Sequence, residues 1–337
     1  MAKISERTAK SRIGTILVLW TLIVLYAGSR VLQILPGRVP MLAVVALHVV
    51  PAALFALIHG AIFYRTRSIL AFITLCFVIG NIFENVGVRT GFPYGHYYFT
   101  DLMGPRLFVV PILLGLAYVG MAYLSWTLAR LILGVRKPLI GSRIVTLPLV
   151  AAFIMVAWDL AMDPVWGTVL HAWIWVKGGA YFGVPASNFL GWYLTAYVIY
   201  QLFALYLRWS VPSPKRLSSG YWHLAVVFYA VSATGNLLLA IPQPGPRVIS
   251  DPAGVQWRVS DITGACAPVS IFLRGAFAVL AWIRLADKNA EGARSLAEPP
   301  ETGLAKLSCS FPPRFLSLDH SFTIQSPKVS HRARHAS

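Results

Sequence analysis

The sequence predicts an all-α, polytopic transmembrane bundle of seven or eight spans with both termini cytoplasmic. Three observations predict it. The 337-residue chain is 57% apolar and only 12% charged, whereas a soluble domain carries about 25% charge. Its apolar residues come in runs of about 20, the length that crosses about 30 Å of hydrocarbon. Lys and Arg concentrate in alternate connections, the bias that orients membrane helices.

In order, the spans fall near residues 13–35, 41–64, 69–86, 106–130, 144–163, 189–209, 221–241 and 264–285. The third is the weakest, because polar Asn81, Glu84 and Asn85 crowd its end, and a re-entrant segment there would leave seven spans. A basic arm, 1–12, carries Lys3, Arg7, Lys10 and Arg12. Alternate connections then carry Arg65 and Arg67; Arg130, Arg136, Lys137 and Arg143; and Arg208, Lys215 and Arg216. That pattern makes 13–286 the transmembrane domain of an integral protein, expected in a bacterial cytoplasmic membrane. Span one is too long for a signal-peptide core and lacks a small-residue cleavage site, so it is expected to stay. Residues 287–337 are rich in Ser, Pro, Arg and Lys without apolar periodicity and read as a disordered basic tail.

Composition and motifs exclude several functions. The net charge of +17 is the orientation bias plus the tail, and no aromatic–basic motif points to nucleic acid. Cys76, Cys266 and Cys309 show no metal spacing, and the HxxxH of His331 and His335 lies in the tail. His48 and His59 on span two are about 16 Å apart along a helix, too far for one metal. Dinucleotide and phosphate loops are missing, and a lone DxxxD falls short of the paired acid motifs that hold a magnesium diphosphate. Neither a metal nor a cofactor is expected.

The acids are informative. Six of the twelve acidic residues lie in the apolar region: Glu84, Asp101, Asp159, Asp163, Asp251 and Asp261. The topology puts all six at the outer face. Carboxyl groups in or beside hydrocarbon are costly and mark function by default. Asp159 and Asp163 are four apart and share a helix face, and Pro164 disfavours helical geometry at Asp163 and is expected to end the helix there. Glu84 lies likewise near the C-terminal end of span three. The helix dipole disfavours carboxylates there, so burial, dipole and mutual repulsion favour the neutral acid form, as a general acid requires. The alternative is structural ion pairing with Arg89, Arg106 or Lys177. Asp101, Asp251 and Asp261 read as loop residues open to water.

Two outer connections stand apart. ENVGVRTGFPYGHYYF, 84–99, and WDLAMDPVWGTVLHAWIWVKGGAYFGVPASNFLGW, 158–192, are dense in Gly and aromatics. An interfacial aromatic belt accounts for the rings, but not for the clustered Gly, Pro and acids, which suit a shaped apolar pocket. His96 and His171 lie in these connections and are candidates to position a water. A neutral carboxyl group can protonate an electron-rich alkene, aromatic faces can hold the tertiary cation, and a second carboxylate can take a proton from the attacking water.

The segments ENVGVRTGFPYGHYYF, WDLAMDP and YFGVPASNFLGW, in that order, resemble the CruF-type carotenoid 1′,2′-hydratases, multi-pass membrane proteins of carotenoid biosynthesis. The resemblance covers roughly 15–285. It implies water addition to the terminal double bond of an acyclic carotenoid ψ-end, giving a tertiary alcohol, without an established cofactor. It puts Glu84, Asp159 and Asp163 at the acidic motif positions, with Tyr94, Trp158, Asn188 and Trp192 in the surrounding motifs. His96, Tyr97, Trp166, Trp173 and Trp175 complete the expected substrate-binding set. Asp159, one turn deeper, is expected to donate the proton, and Asp163 or Glu84 to act as base. Partners are the carotenoid, the lipid bilayer and other membrane enzymes of the same pathway. A carotenoid cyclase, which yields an isomer, and a non-enzymatic lipid or pigment carrier stand as alternatives.

Overall fold

Long apolar runs close their backbone hydrogen bonds internally as helices, and the computed structural model is built of them. It describes residues 2–297 except 36–37, 136–138, 210–216 and 242–246. Calls on Cys309, His331, His335, Arg136, Lys137, Lys215, Arg216 and most of the tail lie outside the described residues. Met1–Ala293 form one compact unit and Arg294–Ser337 a second.

The helices are α1 (Ala2–Leu32), α2 (Met41–Thr90), α3 (Ile112–Ile132), α4 (Arg143–Asp163), α5 (Ala186–Trp209), α6 (Ser219–Leu239), α7 (Val259–Pro268) and α8 (Gly275–Ala297). Among the described residues seven helical stretches are long and apolar enough to cross a membrane, counting Val259–Asp287 as one stretch. Apolar side chains also cover much of the outside: Leu17, Val24, Phe153, Leu190, Phe272 and Val279 are all exposed. Outward-facing Leu, Val and Phe on this scale are what a lipid-facing surface requires.

The helix α2 is counted once but does the work of two. Fifty residues would make a rod of about 75 Å, more than twice the hydrocarbon thickness. Arg65 breaks it with φ 65° and ψ 156°, a conformation uncommon outside glycine. The arms 41–64 and 66–90 fold back on each other there, because a Cβ on Gly60 would run into the Ile69 side chain. In a straight helix those two residues stand about 13 Å apart. The weak third span is therefore a full helix, and counting the two arms separately gives eight long helical stretches among the described residues. Gly60→Ala should destabilise the protein by about 1–3 kcal/mol by overpacking the hairpin. Thermal unfolding in detergent checks this, and an unshifted midpoint would mean that the arms do not close on each other.

The connections at one end of the bundle carry structure that the apolar pattern does not announce. Strand β1 (Tyr97–Phe99) pairs antiparallel with a strand in the second long connection, and β2 (Arg106–Leu107) forms a hairpin with β3 (Val110–Pro111). The partner of β1 is β4 (Trp173–Trp175), with Tyr97 opposite Trp175 and Phe99 opposite Trp173. Alternate residues of a strand face opposite sides. Tyr97, Phe99, Trp173 and Trp175 are accordingly buried while Tyr98 is exposed. The aromatics expected to line a pocket are thus presented by a two-stranded ribbon lying across the helix ends. A second hairpin, β5 (Val248–Ser250) with β6 (Gln256–Arg258), precedes α7.

Candidate functional site

The three acids converge because their helices end at the same level. Glu84 comes from the second arm of α2, and Asp159 and Asp163 from the last turns of α4. The ribbon and the first turns of α3 and α5 close the space between them. The α-helix α4 ends at Asp163, as the following proline suggests, but Asp163 itself keeps helical geometry against that expectation, with φ −60° and ψ −43°, and the chain continues as a wider π-helical turn over Pro164–Val169. Such turns recur at functional sites. All three carboxyl groups are buried, at 3%, 1% and 1% exposure for Glu84, Asp159 and Asp163, so their partners must come from the protein.

Those partners are neutral donors. Glu84 Oε1 accepts from Tyr118 Oη at 2.5 Å, and Oε2 accepts from Tyr97 Oη. Asp163 Oδ1 accepts from the Trp173 indole N–H at 2.6 Å. The Asn188 amide bridges the pair, donating to Asp163 Oδ2 at 2.6 Å and to Asp159 Oδ2 at 3.0 Å. Among the described residues no Lys or Arg side chain contacts any of the three. Arg106, offered by the sequence as a partner, pairs with exposed Asp101 at 2.7 Å. Burial, with Glu84 beside it, pushes the Tyr97 hydroxyl well above its ordinary range, so it remains an O–H donor.

A cavity of about 20 Å³ lies between Glu84 and Asp163, walled by Tyr94, Tyr97, Phe99, Leu114, Trp173, Trp175, Asn188 and Trp192. One water needs about 10–15 Å³ and two to four polar partners. Both carboxyl groups and the indole N–H of Trp175, which lies near Asp163 without closing a well-formed hydrogen bond, supply them. Trp192 stacks on Tyr118 with centroids 4.5 Å apart, and Trp158 meets Trp192 edge-on at 5.9 Å.

Of the sequence candidates, Glu84, Asp163, Tyr94, Tyr97, Trp173, Trp175, Asn188 and Trp192 line this cavity. Asp159 does not; it sits one turn below, joined to it through Asn188. Trp158 backs the wall. Trp166 is buried near His48, with ring centroids 6.1 Å apart. His96 and His171 are exposed, His96 lying against Gly91. Asp251 corrects an expectation: it is buried, accepting from Val255 N and the Trp257 indole N–H, because the β5–β6 hairpin folds around it. Asp101 and Asp261 are exposed as expected. Sequence reasoning missed Tyr118, the second donor to Glu84. It stands 34 residues from its partner inside an ordinary apolar span, and no local signal marks it.

The comparisons agree with this picture. Residues 39–249, more than half of the chain and including every acid of the site, match the model of the family described as carotenoid biosynthesis protein. A bisanhydrobacterioruberin hydratase of Haloarcula japonica is 36% identical over 122 residues, which is 36% of this chain and 39% of that protein. The matched segment thus spans about two fifths of the relative's length. No solved structure matches the chain. An apolar helical bundle carrying the three motif segments, matched by that family model across its core, belongs to the carotenoid biosynthesis protein family.

Proposed function

We propose that the protein hydrates the terminal 1,2 double bond of an acyclic carotenoid ψ-end, giving a tertiary alcohol. The observation that carries this reading is the water-sized cavity held between two buried carboxyl groups, Glu84 and Asp163. The relative from Haloarcula japonica is named as a hydratase of bisanhydrobacterioruberin, a reaction of the same type.

One of the two cavity acids, in its neutral form, gives its proton to the less substituted carbon of the terminal double bond. A tertiary cation forms at the neighbouring carbon, where the face of Tyr118 stabilises it by about 2 kcal/mol when desolvated. The cavity water bonds to that carbon through oxygen while the other carboxylate takes its extra proton. The two acids have then exchanged roles, and a proton passing back between them resets the site. Asp159, favoured as donor on depth alone, shares Asn188 with Asp163 and adjusts the charge beside it. Neither a cofactor nor a metal enters these steps. The working partners are the carotenoid and the bilayer, with the acids at the outer face of the cytoplasmic membrane; a reporter fused after Pro185 that reads cytoplasmic would reverse that placement.

Pigments from lycopene-producing cells that express the full chain test the reaction, with bisanhydrobacterioruberin as a second substrate. Products heavier by one or two waters, as tertiary alcohols, are expected. Same-mass products with ring ends would mean a cyclase. Unchanged pigment with the protein abundant in the membrane would remove the hydratase reading.

A further inference from the structure

The water-sized cavity is too small for any carbon chain, so the alkene must approach from elsewhere. A second space, of about 150 Å³, lies on the other side of Tyr118, between the second arm of α2 and the start of α3, under the β2–β3 hairpin. Its walls include Cys76, Phe77, Gly80, Val110, Gly115 and Tyr118, and it is almost wholly apolar. We infer that this groove seats the dimethyl-substituted terminus of an acyclic isoprenoid, with its terminal double bond against Tyr118 and Glu84. The inference rests on the hydratase reading and names where its substrate binds.

Size, lining and continuity support it. A cavity of about 150 Å³ lined by apolar side chains stays dry and takes a benzene-sized guest, and a terminal five-carbon isoprene unit is of that size. Two glycines shape the space. Gly80 leaves the Tyr118 ring uncovered, since a Cβ there would lie 3.7 Å from it, and a Cβ on Gly115 would strike the Phe77 ring at 2.5 Å. Gly80 is four residues, one helical turn, before Glu84. Tyr118 links the two spaces: its ring lines the groove, and its hydroxyl is bonded to Glu84, which lines the water-sized cavity. Alkene and water are thereby kept apart until they meet at one acid. At the mouth, Leu107 and Ile112 are 48% and 45% exposed, so the rest of a rod-like carotenoid can remain in lipid.

Two variants and one probe test this. Gly80→Val fills the groove without touching an acid and should raise the KM for lycopene at least tenfold with a smaller effect on kcat, whereas Glu84→Gln should lower kcat. Independently of turnover, a photoreactive benzophenone side chain placed at the rim position Ile112 should crosslink to squalene, a colourless isoprenoid with the same terminus. The adduct should disappear when Gly80→Val is added. Crosslinking that survives Gly80→Val, or a normal lycopene KM in a well-folded Gly80→Val protein, would overturn the groove while leaving hydration in place. A groove-specific adduct in a protein that hydrates no carotenoid would support the groove and remove the hydratase reading instead.

Discussion

Glu84→Gln is expected to lower the proposed carotenoid hydration at least about a hundredfold, about 2.7 kcal/mol of barrier, while the protein accumulates and unfolds normally. The variant is clean because both partners of Glu84 are hydroxyls, Tyr97 and Tyr118. A hydroxyl both donates and accepts, so one tyrosine turns to accept from the new amide and the packing survives. What is lost is the transferable proton beside the cavity. The measurement is product formed per unit of membrane protein, with abundance quantified in the same preparation. Near-normal turnover would take Glu84 out of the chemistry, and a loss that merely tracks abundance would make it a structural residue.

Asp163→Asn has an effect at least as large and of a different kind. Both of its carboxyl oxygens accept from groups that can only donate, the Trp173 indole and the Asn188 amide nitrogen. An asparagine must point its NH2 at one of them, which leaves a buried donor unpaired at a cost of about 1–3 kcal/mol. Hydration should disappear and the thermal midpoint should fall. Asp159→Asn is the control, because Asp159 accepts only from Asn188 and through one oxygen. Its amide carbonyl can keep that bond, so stability should hold while activity falls. If Asp163→Asn kept both turnover and stability, the cavity would not be the reaction centre.

The class of fold was legible because crossing hydrocarbon leaves a chain little choice. Each span must be apolar for about 20 residues and helical throughout, and both demands are written in local composition. The acids were legible for the same reason, since Glu84, Asp159 and Asp163 are costly where they stand. The break at Arg65 was legible too: the spans read at 41–64 and 69–86 part at Arg65 and Arg67, and the closeness of Gly60 to Ile69 shows the two arms folding back on each other.

The sequence by itself determined a helical membrane bundle, the three costly carboxyl groups within it and the two connections beside them, because each of these is a property of neighbouring residues. Tertiary structure alone decided that Tyr97 and Trp175 face each other across a ribbon, that Asn188 bridges two acids, that Asp251 is buried, and that Tyr118 lines an apolar groove while its hydroxyl bonds Glu84 at the water-sized cavity. Apart from the local turn around Asp251, those relations join residues tens of positions apart. They depend on which helix faces pack together, and side-chain volume sets that only once the whole bundle is assembled.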